Sequence, residues 1–162
     1  MADLQSASRK QKPGRGVLAR VRVGAGQLLS VPVYFGYEVA VRAMNIDRLL
    51  ASRKGLSSAL TERVECACGD LDPASIRLVE DARVPTRHVG VTFGSTVFVA
   101  RRLDAADRRD ARLLVHELTH VRQARRYGRV GMARRYGVEW CRCLSYHHHP
   151  FELEARRAEA LA

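Results

Sequence analysis

The pentapeptide His116-Glu117-Leu118-Thr119-His120 constrains this chain more than any other feature. It lies within a helical pattern over residues 105–127. Asp104 is placed to cap that helix, Asp107 and Asp110 lie near its positive end, and Gly128 ends it. A spacing of four puts the two imidazoles on one helix face, one turn apart. Neutral imidazoles so placed can converge on one Zn²⁺ ion and leave other positions on it open. Glu117 stands about 100° around the helix, at the edge of the same face. From there it reaches a water at the metal without being a ligand, and it can take the proton of that water. With six His in 162 residues, a chance H-E-x-x-H has a probability of roughly 1%. Leu113, Leu114, Val115, Leu118 and Val121 surround the motif, so it is expected to be buried, where unpartnered His and Glu are costly.

Two imidazoles need a third ligand. The metzincin extension requires Gly at position 123 and His at 126, and the chain has Gln123 and Arg126. The ligand must therefore come from later sequence. The stretch S-Y-H-H-H-P-F-E-L-E-A, residues 145–155, offers five candidates: His147, His148, His149, Glu152 and Glu154. Pro150 fits the first position of a helix, with His149 as its cap and Glu152 in its first turn. Phe151, Ala155, Ala158 and Ala162 then form an inward stripe with the two glutamates on opposite flanks. Periodicity does not choose between them. The three adjacent histidines cannot all point one way and read as a solvated loop. Gln123, one turn after His120 on the same face, is a candidate support for that imidazole. Tyr136, Tyr146 and His147 to His149 are candidates for stabilising an oxyanion.

The remaining pattern positions this helix. Residues 37–65 are mostly helical with a break near Gly55, and Ser57 or Ser58 can cap the second piece. Residues 76–82 form a short strand candidate. H-V-G-V-T-F-G-S-T-V-F-V-A reads as a hairpin turning at Gly94-Ser95. A helical segment over 130–143 and a helix from Pro150 follow. The expected class is α+β: a small antiparallel sheet or hairpin beside a long helix, with flanking helices. Residues 23–162 are read as one domain and residues 1–22 as a flexible basic arm.

The formal net charge is +11, and 25 of the 28 basic residues are Arg. They are scattered with few aromatic neighbours, which fits a solvated surface better than a base-stacking one. Nucleic-acid binding through the basic arm ranks behind a peptide or protein substrate. The uncharged run Val23 to Tyr37 is shorter than the ~20 residues a bilayer needs, and it holds Gly24, Gly26 and Pro32. It reads as neither an anchor nor a signal peptide, so a cytoplasmic location is expected, with non-classical export as the alternative. Cys66/Cys68 and Cys141/Cys143 are spaced too closely for a C-x-x-C knuckle. They read as reduced thiols, the alternative being a second metal site or a cross-link.

L-L-V-H-E-L-T-H-V-R-Q-A-R-R-Y-G followed by Y-H-H-H-P-F-E-L-E-A resembles the glutamate-ligand zincin metallopeptidases. More narrowly, it is similar to the small bacterial metallopeptidase-like core domain associated with extracellular contractile injection systems, over about residues 70–160. In that family a strand pair, here V-T-F-G-S-T-V-F-V, precedes the motif, and a P-F-E-x-E-A segment opens the helix that brings the acidic ligand. The resemblance implies a zincin-like fold with zinc held by His116, His120 and Glu152. It implies water activated by Glu117 and peptide substrate along an edge strand of the 88–100 hairpin. Glu154 is the reserve ligand. A zinc-dependent peptidase is the leading expectation. A non-catalytic zinc domain serving protein interaction or assembly is the alternative.

Overall fold

The run T-V-F-V is short and built of β-branched and aromatic residues without a charge, as a strand covered on both faces should be. In the computed structural model it is β3 (Thr96–Val99), buried throughout. The structure describes residues 15–52, 55–68, 70–84 and 89–162; for 15–17, 19, 63–64 and 66–68 it describes the backbone alone. Strand β1 (Arg77–Val79) pairs parallel to β3, and β2 (Gly90–Phe93) pairs antiparallel to it, in the order β1-β3-β2. Gly94 and Ser95 turn β2 into β3, with φ 61° at Gly94. The sheet is thus mixed, not wholly antiparallel as expected. Alternation marks a strand but does not reveal its partner, and β1 reaches β3 only through a long-range contact.

The sheet lies between two helices. Helix α1 (Arg15–Met44) covers one face, where Val41 packs with Val79, Phe93 and Phe98. Helix α4 (Arg108–Cys143) covers the other, where Leu114, Val115, Leu118 and Val121 pack with Val97 and Val99. Full burial of a side chain such as Phe98 contributes about 1.5–3 kcal/mol. Helix α2 (Ile46–Ala51) follows α1, and α3 (Ser58–Cys68) adds Leu60 to the α4 side. The Ser57 hydroxyl accepts from Leu60 N at 3.4 Å, the expected cap. Asn45 closes α1 onto the loop after β1, accepting from Arg83 N at 2.7 Å and donating to Arg83 O at 3.0 Å.

Two expectations are corrected here. The long helix starts at Arg108 rather than 105, and its cap is Asp107, which accepts from Arg109 N at 2.8 Å. Asp104 instead forms the turn before it, accepting from Ala106 N. Residues 15–22 of the expected basic arm are the first turns of α1, and residues 1–14 lie outside the described residues.

Gly128 has φ 66° and ψ 164°, a conformation essentially confined to glycine. It breaks the expected helix where the sequence placed its end. The chain then re-enters a helix, so α4 is one kinked element with two arms. Arg129, just past the kink, donates to Glu38 Oε2 of α1 at 2.6 Å, and Arg42 donates to Glu38 Oε1 at 2.8 Å. Farther along, α1 and the second arm meet at Gly26 and Gly137. A Cβ on Gly137 would fall 2.1 Å from Ser30 Cβ, so this approach requires glycine. Helix α5 (Pro150–Ala160) packs back on α4. Among the described residues no helix is long and apolar enough to cross a membrane.

Candidate metal centre

His116 and His120 project from the first arm of α4 with ring centroids 5.0 Å apart. Helix α5 lies against this face because Phe151 and Ala155 bury there, and that packing delivers Glu152 from its first turn. Glu152 Oε2 lies 3.4 Å from His116 Nε2, and Oε1 lies 3.5 Å from His120 Nε2. The three residues offer ligand atoms all within 4.8 Å of one another. Glu152 is 3% exposed, and its Oε2 is buried without a hydrogen-bond partner of good geometry among the described residues. Such an oxygen is costly to leave unsatisfied. A cation between it and two imidazole nitrogens satisfies it, and two nitrogens plus one carboxylate are a donor set that zinc accepts.

The far sides of both imidazoles are supported. His120 Nδ1 lies 2.8 Å from Gln123 Oε1, and His116 Nδ1 lies 3.3 Å from Glu159 Oε2. These acceptors favour the proton on Nδ1 and leave each Nε2 lone pair facing Glu152. Gln123 is held in turn, donating to Phe151 O at 3.1 Å and to Glu154 Oε2 at 2.9 Å. Glu154 thus positions Gln123 and is not among the three converging donors.

Burial favours a neutral Glu152. The imidazoles of His116 and His120 and the Tyr146 phenol overcome it and hold the carboxyl well below the usual carboxylate range. Burial likewise opposes charge on His120, yet the Glu152 carboxylate raises the pKa of that imidazole. A proton there occupies the role a metal cation would take, so metal and proton compete. Burial and then the Glu152 charge raise Tyr136, so its phenol stays protonated and donates to Glu152 Oε1 at 3.4 Å. Burial and then a hydrogen bond with Glu152 do the same for Tyr146.

Glu117 is 4% exposed, and its carboxylate lies against β2 in the cavity that His120 and Glu152 also line. The Thr92 hydroxyl donates to its Oε2 at 2.7 Å. A Cβ on Gly90 would fall 2.6 Å from its Oε1, so the strand carries glycine where the carboxylate lies. Among the described strands β2 is an edge of the sheet, which places this carboxylate beside a strand whose outer side faces away from β3.

The histidine run separates into distinct environments. His149 is fully buried; its Nδ1 accepts from Phe151 N at 3.3 Å, its Nε2 donates to Tyr136 O at 3.1 Å, and its ring stacks on Tyr136 at 4.0 Å. Burial lowers its pKa, in keeping with a neutral ring whose Nδ1 is an acceptor. It is the cap of α5, as expected. His147 and His148 are exposed. Cys141 and Cys143 are free thiols, and the side chains of Cys66 and Cys68 lie outside the described residues.

Sequence reasoning did not find Thr92, Gly90 or Glu159. Thr92 and Gly90 share one face of the V-G-V-T-F strand at a spacing of two, and that periodicity was their only signal. Residues 56–128 match the family model of the eCIS core domain. The matched segment holds the sheet, His116, Glu117 and His120, whereas α1, Tyr136 and Glu152 lie outside it. The chain matches no curated protein and no solved structure.

Proposed function

We propose that the chain is a zinc-dependent metallopeptidase that works in association with an extracellular contractile injection system. The observation that carries the peptidase reading is the buried Glu117 carboxylate, fixed by Thr92 beside three donors that converge on one point. The match over residues 56–128 supports the association. His116 Nε2, His120 Nε2 and Glu152 would hold the zinc. When bound, zinc supplies Lewis acidity that polarises a carbonyl and brings water within reach of a neutral-pH base. Glu117 takes a proton from the attacking water and passes it to the leaving amine nitrogen. Thr92 fixes one carboxylate oxygen, leaving the other for that proton. Tyr136 and Tyr146 keep their phenol protons beside Glu152, and in this reading one of them turns from that carboxylate to donate to a developing oxyanion. The edge strand β2 offers backbone groups to an extended substrate.

Mass spectrometry should find about one zinc per chain. Glu117→Gln should retain the zinc while hydrolysis of a peptide library falls by roughly 10²–10⁴-fold. Cleavage by that variant at the wild-type rate would overturn the mechanism.

A second reading is a non-catalytic zinc domain used in assembly. The exposed apolar side chains of α1, among them Leu28, Leu29 and Val33, favour it by offering a contact surface. It predicts bound zinc and no cleavage by the wild-type protein.

A further inference from the structure

A cavity of about 630 Å³ opens beside the metal donors, between α1, β2 and the second arm of α4. We propose that it binds a bulky apolar side chain, aromatic or long aliphatic, of a peptide whose backbone lies along β2. The inference rests on the peptidase reading for where the scissile bond lies, but binding itself does not require turnover.

Four observations select this occupant. First, the cavity is continuous with Glu117, His120 and Glu152, so whatever fills it is joined to what sits at the metal centre. Second, one wall is the edge strand β2, which can pair with an extended chain, and the side chains of such a chain alternate toward the wall and away from it. Third, the charged groups of the cavity all belong to the metal end. The walls beyond are formed by residues such as Leu29, Val33, Phe93, Met132 and Trp140, which give an apolar side chain surface to cover and offer a charged one no counter-charge. Fourth, Ser30 lines the cavity, and its buried hydroxyl has no partner among the described residues. Rotated toward the cavity, that hydroxyl would gain a partner in an indole N–H or a phenol. The volume lies within the range that commonly encloses a small ligand.

The Gly26–Gly137 approach gives the site its boundary. With no side chain on either residue, α1 and α4 close to backbone contact there, and both glycines line the cavity. The walls come from α1 and the second arm of α4, which lie outside the matched segment.

The test is calorimetric titration of zinc-loaded Glu117→Gln with positional libraries of acetylated, amidated hexapeptides. One position should prefer Phe, Trp or Leu over Asp by at least about tenfold. Val33→Asp, at an exposed position of the wall, should remove that preference while zinc content and Tm stay unchanged. Equal affinity for all residues at every position would overturn the proposal. So would binding that Val33→Asp leaves intact. A fatty acyl chain that binds where peptides do not would also overturn it, as would a Val33→Asp effect confined to self-association in sedimentation. If Glu117→Gln binds Phe peptides and the wild type cleaves none, the peptidase reading fails and the pocket stands. If the wild type cleaves without preference at any position, the pocket fails and the peptidase reading stands.

Discussion

Thr92 shows how one hydroxyl can set the direction of a buried carboxylate. Thr92→Val keeps the volume and removes the donor to Glu117 Oε2. Hydrolysis should fall by roughly 10–100-fold with zinc content unchanged, and Thr92→Ser should restore most of it. A Thr92→Val enzyme with wild-type kcat would show that Glu117 needs no such support. The two acidic candidates of α5 separate at the same scale. Glu152→Ala should lose zinc, whereas Glu154→Ala should weaken its affinity by only about 10–100-fold, because it acts through Gln123 on His120. Equal zinc retention in both variants would remove Glu152 from the ligand set. The spacing of His116, Glu117 and His120 was legible because four residues make about one helical turn. The choice between Glu152 and Glu154 was not, since both flank the buried stripe. The side-chain contacts that distinguish them arise only when α5 docks. His149 illustrates the converse: its place before Pro150 already marked it as a cap.

At the scale of elements, α4 has two sensitive points. Gly128→Ala should destabilise the protein by about 1–3 kcal/mol in urea unfolding, because alanine is strained at φ 66°, ψ 164°. An unchanged midpoint would mean that the kink relaxes at no cost. Asp110, near the start of α4, is 1% exposed. The Arg101 guanidinium, against the cost of burial and with help from Asp104 N–H, holds its carboxyl below the usual range. Its folded pKa is below the unfolded one, so it contributes stability above about pH 4 that is lost as pH falls further. Asp110→Asn should lower stability at neutral pH and flatten the acid limb; parallel pH curves for the two proteins would rule this out. The long helix, the hairpin and α5 were legible from period, turn and cap. The first half of α1 was not. Its glycines and Pro32 read locally as breakers, while the reason for Gly26 is a contact with Gly137 more than a hundred residues away. The parallel pairing of β1 was hidden for the same reason.

Across the whole molecule, metal should count toward folding. The converging donors belong to different helices, so the unfolded chain does not present them together. Chelation should lower Tm, by an amount equivalent to about 4 kcal/mol when free zinc stands at 1,000 times Kd. The effect should be weak in Glu152→Ala, and a chelator-insensitive Tm in the wild type would deny the site. The donors also fall on opposite sides of Gly128. A fragment ending there, such as 56–128, would retain the H-E-x-x-H residues but lack Glu152, Tyr136 and the floor of the cavity. Sequence similarity and functional completeness therefore have different borders in this protein. The smallest unit that could assemble the proposed centre is longer than the unit that can be recognised.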